Sequence, residues 1–257
     1  MDIPDKLKDF RNFLYIVWKH LNLPDPTPIQ YEIADYMQRG DRRAIIEGFR
    51  GVGKSWICSA YVVHQLLLDP RKNILVVSAS KTRADDFSTF TLRLIHELPI
   101  LGHLRPTDKQ RFSKISFDVG PAPASHAPSV KSLGVTSQLT GSRADIIVAD
   151  DIEVVGNSAT QGMRDKLGEQ VKEFDAIIKP EDETKVLFLG TPQCEDTIYN
   201  KLTERGYSKR IWTAKYVTAK TNQATYDGTV SAFCVDDEQA GSSTEPLRFS
   251  DIDLAER

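Results

Sequence analysis

Beyond residue 40, short apolar runs alternate with longer stretches in which apolar residues recur every three or four positions. The first pattern suits strands buried on both faces, the second amphipathic helices. RRAIIEGF (42–49), NILVVSAS (73–80), ADIIVADD (144–151), TKVLFLGTP (184–192) and SKRIWTAKYV (208–217) read as strands. KSWICSAYVVHQLLL (54–68), TRADDFSTFTLRLIHEL (82–98), MRDKLGEQVKEFDAIIK (163–179) and TIYNKLTERG (197–206) read as helices. Residues 6–21 predict one amphipathic helix with Phe10, Phe13, Leu14, Val17 and Leu21 inward, and Thr27-Pro28 predicts a helix start running to about Gly40. Residues 100–140 are less regular, with a weak strand in KISFDV (114–119). From about 220 the periodicity fades, until Ser250 and Asp253 space a capping box for a last helix. Strands alternating with helices predict an α/β fold with a mainly parallel sheet covered on both faces. The expected division is N-terminal helices over 1–40, a core over 41–219, and a lid or linker segment over 220–257.

Composition narrows the class without naming a chemistry. The 257 residues are 40% hydrophobic and 9% aromatic, enough for a packed core. Lys and Arg number 33 against 36 Asp and Glu, a net charge of −3, so nucleic-acid binding would need a local basic patch. Cys58, Cys194 and Cys234 are far apart, which excludes a disulfide framework or cysteine metal site and fits a reducing compartment. No apolar run approaches the ~18 residues of a membrane span, and the N-terminus lacks a signal-peptide pattern.

The chemistry is in the turns that follow the strands. Gly48-Phe49-Arg50-Gly51-Val52-Gly53-Lys54-Ser55 fits G-x-x-x-x-G-K-[ST] without a mismatch, between a strand and a helix. Such a loop wraps phosphates in backbone N–H groups; Lys54 would reach the β- and γ-phosphates and Ser55 would ligate Mg²⁺. Arg50 is either a loop-tip surface residue or an arginine neutralising charge on the γ-phosphate in cis. The strand ending in Asp150-Asp151 is expected beside the phosphate-loop strand. Asp150 is the candidate for Mg²⁺, and Asp151 or Glu153 for polarising the attacking water. Thr191 and Gln193, after another hydrophobic strand, are candidates for contacting the γ-phosphate or that water. Gln30 has an amide able to donate to and accept from one adenine edge.

In this order, PTPIQ, GFRGVGKSW, SASKTRADDF, LTGSRADIIVADD, NSATQGMRDKL and VLFLGTPQ resemble the ATPase domain of the large terminase subunit of tailed bacteriophages, nearest its short-tailed-phage branch. The likeness covers roughly residues 25–215, and PLRFSDIDLAER is similar to the stretch that continues toward the nuclease domain in that branch. The resemblance implies a P-loop NTPase fold of the RecA-like (ASCE) type with a small lid. It implies an ATP-driven motor, using ATP and Mg²⁺, that packs double-stranded DNA into a procapsid. Implied partners are the portal protein, the small terminase subunit and further copies in a ring of about five, a monomer in solution being the other expectation. The implied location is the host cytoplasm, transiently at the portal vertex and not the mature virion, with no membrane partner. By position Arg50 matches the family's phosphate-loop arginine. Arg143 matches an arginine acting in trans in some members, or forms a strand-flanking salt bridge.

Two departures from the family pattern are Asp-Asp where Asp-Glu is usual, and no nuclease acid cluster after residue 220, so this chain is expected not to cleave DNA. A superfamily-2 helicase core is the competing enzyme reading, though a second RecA-like domain would not fit. A non-enzymatic assembly module that binds ATP without turnover is the competing binding reading.

Overall fold

The computed structural model describes residues 3–139 and 141–256. Thr140, within the LTGSRAD stretch, and Arg257, at the end of the last expected helix, lie outside the described residues. Seven strands form one sheet: β1 Arg43–Gly48, β2 Ile74–Ser78, β3 Ser116–Phe117, β4 Val130–Gly134, β5 Ile146–Asp150, β6 Lys185–Gly190 and β7 Ser208–Trp212. Their order across the sheet is β3-β4-β2-β5-β6-β1-β7, and every pairing is parallel except β3 with β4.

The helices are α1 Asp5–Lys8, α2 Phe10–His20, α3 Pro28–Arg39, α4 Lys54–Leu68, α5 Lys81–Glu97, α6 Val155–Ser158, α7 Gln161–Lys172, α8 Phe174–Ile177, α9 Ile198–Glu204, α10 Ala219–Tyr226 and α11 Asp251–Ala255. None of the described helices is long and apolar enough to cross a membrane.

Strand alternation explains why the sheet is covered on both sides. In β5, Ile146 and Val148 enter one apolar cluster with residues of α2, α3, α4 and α5. Ile147 and Ala149 enter a second cluster with Leu167, Val171, Phe174 and Leu202. The three cysteines among the described residues are unpaired.

The pattern departs from the sequence expectation at several places: β7 ends at Trp212 rather than running to 217, and α10 forms where the periodicity fades. The first helix is two helices, because the Asp9 carboxylate accepts from Arg11 N–H and caps α2. The expected helix over 163–179 also divides, into α7 and α8. Strand β4, V-K-S-L-G, escaped notice because its burial alternates and a lysine and serine interrupt the apolar run. Finally, β5 is not beside β1: β6 lies between them. That insertion puts the turn after β6 midway between the phosphate loop and the acidic strand end.

His64 of α4 sets a pH response that can be measured directly. Its ring is fully buried between Phe10 and Phe13, with centroids 5.2 and 5.3 Å away, and Nε2 is 2.9 Å from Leu7 O. Burial pushes its pKa down to about 4, the Leu7 carbonyl opposing. A histidine depressed in the fold contributes fully above pH ~6.5 and loses that contribution as pH falls toward 4. The loss is about 3 kcal/mol at most. Urea unfolding of wild type and His64→Gln at pH 7 and pH 4.5 should show the wild-type advantage shrinking by about 2–3 kcal/mol, with other titrating groups cancelling in the difference. An advantage independent of pH would mean that His64 is not held neutral by the fold.

Candidate active site

The strand ends build a cleft of about 700 Å³, lined by Gln30, Arg50, Gly51, Gly53, Lys54, Ser55, Asp151, Glu153, Thr191 and Gln193, among others. A cleft of that size accommodates a nucleotide.

At the end of β1 the chain turns through Gly51 and Gly53 with φ of 96° and 92°, the left-handed region that glycine enters without strain. Val52 is buried and anchors the turn. Gly53 is the N-cap of the 15-residue helix α4. The loop therefore precedes a helix N-terminus, which favours anions. Phe49 packs half-buried against the core beneath it.

Lys54 is buried, and its Nζ donates to Gly48 O at 2.8 Å, Phe49 O at 3.3 Å and Thr191 Oγ1 at 2.9 Å. Thr191 Oγ1 in turn donates to Gly48 O at 2.8 Å. Burial lowers the Lys54 pKa, while Asp151 and Asp150 pull it back up. Arg50 is exposed in the cleft, and among the described residues it forms no ion pair.

Asp150 follows the β5 alternation and faces α4, where Cys58 Sγ lies 3.9 Å from its Oδ1. Burial and the neighbouring Asp151 push its carboxyl up to about 6, opposed by a Ser55 hydroxyl hydrogen bond and the charges of Lys54 and Arg83. One carboxylate and one hydroxyl together suit a hard cation that keeps waters and shares a phosphate. Among the described residues there is no cluster of three or more His, Cys, Asp and Glu side chains able to hold a metal by themselves.

The next two acids stand in different surroundings. Asp151 is half-exposed and has a left-handed φ of 46°, with its N–H donating to Leu189 O at 2.8 Å. Glu153 is buried, and its carboxylate accepts from Gln193 N–H at 2.9 Å, from Thr197 Oγ1 at 2.8 Å, and from Ile198 N–H at 2.7 Å. Glu153 thus ties the end of β5 to the start of α9. Gln193 completes that tie, its Nε2 donating to Thr191 O at 2.8 Å.

Gln30 does more for the loop than its sequence position suggested. Its Oε1 accepts from Thr27 N–H at 3.0 Å in the capping box of α3, and its Nε2 donates to Val52 O at 2.8 Å. The side chain braces the phosphate loop while lining the cleft. Arg143 is not brought to the cleft: it precedes β5 at the opposite end from Asp150, on the order of 20 Å along the chain. Its Nη1 donates to Ser142 O and Ala176 O at 3.0 and 3.2 Å.

Among the cleft residues not singled out from sequence are Trp56, Arg83 and Arg248. For Trp56 and Arg83 the signal was available, one residue after the loop motif and inside SASKTRADDF. Arg248 lies in the quoted PLRFSDIDLAER stretch, but nothing in its local pattern points to the loop nearly 200 residues upstream.

No family model matches the chain. The large terminase subunit of Enterobacteria phage T3 is 48% identical over 97% of this chain, which spans 44% of that relative's length. The large terminase of bacteriophage HK97 superposes with a TM-score of 0.51 at 13% identity, covering 77% of this chain and 42% of that one. S. cerevisiae Dbp5, solved bound to Gle1 and IP6, gives 0.51 at 12% identity over 80% of this chain and 52% of its own. At such identities the two superpositions speak for the fold alone, the mainly parallel RecA-like α/β sheet. With 48% identity over 97% of its length to the T3 protein, the chain belongs to the family of phage terminase large subunits.

Proposed function

We propose that this chain hydrolyses ATP as the motor part of a DNA-packaging terminase, driving double-stranded DNA into a procapsid. The observation that carries the reading is Lys54 Nζ held between the Gly48 and Phe49 carbonyls and the Thr191 hydroxyl, at the foot of a glycine loop that opens a long helix. One cation there links the loop to the strand end that would report on the terminal phosphate.

ATP is the substrate, its phosphates wrapped by the loop from Gly48 to Ser55 and its base toward Gln30. Ser55 and Asp150 would hold Mg²⁺, which when bound supplies charge neutralisation at the β- and γ-phosphates. Lys54 and Arg50 add positive charge where the transferred phosphoryl group carries it. Asp151 orients the attacking water. Asp151 and Glu153 both line the cleft, but both oxygens of Glu153 are engaged by Gln193, Thr197 and Ile198. Thr191 and Gln193 pass the state of the site, through Glu153, to α9.

The fuller reading includes a ring of copies on the portal protein, DNA delivered by the small terminase subunit, and an arginine such as Arg143 offered to a neighbour's cleft. A side chain at the far end of β5 reaches a neighbour's cleft rather than its own. In that reading the chain works in the host cytoplasm and at the portal vertex, with residues 220–257 as the lid. ATP turnover per subunit should therefore rise with protein concentration as neighbours complete the site, and fall again with Arg143→Ala. A flat, nonzero rate would remove the requirement for a neighbour. ATP binding without turnover at any concentration would favour the assembly-module reading.

A further inference from the structure

The phosphate loop is held from outside at two consecutive carbonyls. A loop that turns its N–H groups inward must direct carbonyls outward, and those oxygens need donors. Gln30 Nε2 donates to Val52 O at 2.8 Å, and Arg248 Nη2 donates to Gly51 O at 3.0 Å. The second brace belongs to a short strap, residues 245–249. The backbone N–H groups of Arg248 and Phe249 both donate to Glu245 O at 2.9 Å. The Phe249 ring lies edge-on to Phe49, with centroids 5.7 Å apart, and leaves no room for a Cβ on Gly51.

The charge on the strap is what a simple brace does not require. The Glu245 carboxylate is buried, accepts from the Thr27 hydroxyl, and lies 3.5 Å from Arg248 Nη1. That anchor orients one edge of the guanidinium. The remainder of the side chain is about one-third exposed and lines the cleft together with Arg50, Lys54 and Arg83. A guanidinium has five N–H donors in a fixed fork; the Gly51 carbonyl and Glu245 leave donors over.

We propose that Arg248 is a nucleotide-binding residue, presenting its remaining N–H donors to the phosphate chain of a nucleoside di- or triphosphate. Glu245 is the positioning residue that aims it. This rests on the nucleotide reading of the cleft. It adds that the segment after residue 245 feels whether phosphates are bound, because the same side chain touches both.

Equilibrium titration with a fluorescent ATP analogue and its ADP counterpart, alongside thermal melting, tests this on wild type, Arg248→Ala, Arg248→Lys and Glu245→Gln, with Lys54→Ala as control. Arg248→Ala should weaken both nucleotides about tenfold, in keeping with loss of a charge-assisted hydrogen bond. Arg248→Lys keeps the charge without the fork and should weaken them about threefold. Glu245→Gln should lower the melting temperature more than Arg248→Ala does, yet weaken nucleotide binding less. Wild-type affinity in both Arg248 variants, with binding lost in Lys54→Ala, overturns the inference and leaves the nucleotide reading intact. Losses of affinity that only track melting temperature across the Arg248 and Glu245 variants overturn it too, reducing the strap to a brace. If Arg248→Ala does not fold, Arg248→Lys is decisive by the same criteria. Absence of nucleotide binding by folded wild type removes both readings together.

Discussion

Lys54→Ala is expected to abolish ATP turnover, with a loss of three orders of magnitude or more. The side chain is buried, and its ammonium is fixed by three acceptors before any substrate contact. Its position is therefore set in advance, the condition under which a charge contributes most to a transition state. Alanine removes a cation that touches both the loop carbonyls and Thr191. The fold should tolerate the change. Burial already disfavours the charged lysine, and Thr191 Oγ1 still donates to Gly48 O in its absence. Steady-state turnover with a melting curve separates the two effects: no detectable rate beside a melting temperature within a few degrees of wild type. A rate near wild type would mean that this cleft is not where ATP is hydrolysed.

The skeleton of the fold was legible because buried parallel strands are apolar throughout. β1, β2, β5 and β6 each announce themselves as continuous apolar runs, and α4 spans the residues expected. β4 was not legible, since an edge-proximal strand can carry Lys131 and Ser132 on its two faces. The order of strands is not written in local pattern at all, so the interposition of β6 between β1 and β5 had to come from the structure. The loop residues Gly48 to Ser55, with Asp150, Asp151 and Thr191, could be placed together because each follows directly from a strand end. Gln30 was found for its position, yet its bonds to Thr27 and Val52 depend on tertiary packing. Glu153 was an open alternative to Asp151 because spacing alone does not say which carboxylate is already occupied. Arg248 shows the same limit at long range, since no periodicity connects residue 248 with residue 51.

Occupancy is what makes Asp151→Asn and Glu153→Gln diverge. Asn is nearly isosteric with Asp and tolerates the left-handed backbone found at φ 46°, so Asp151→Asn should fold as wild type does. Deprived of an anionic acceptor for the attacking water, its turnover should fall about 100- to 1,000-fold. In Glu153→Gln an NH₂ group replaces one oxygen among the donors Gln193 N–H, Thr197 Oγ1–H and Ile198 N–H. The site is buried, so a donor left facing a donor costs about 2–4 kcal/mol. Urea denaturation should show that loss in Glu153→Gln and almost none in Asp151→Asn. Turnover should fall in both, but in Glu153→Gln it should follow the displacement of Gln193 and Thr191 rather than loss of a base. The reverse pattern, a stable and inactive Glu153→Gln beside an active Asp151→Asn, would move the water-polarising role to Glu153. The carboxylate would then have to leave Thr197 and Ile198 in each cycle, and the start of α9 would be released with every ATP hydrolysed.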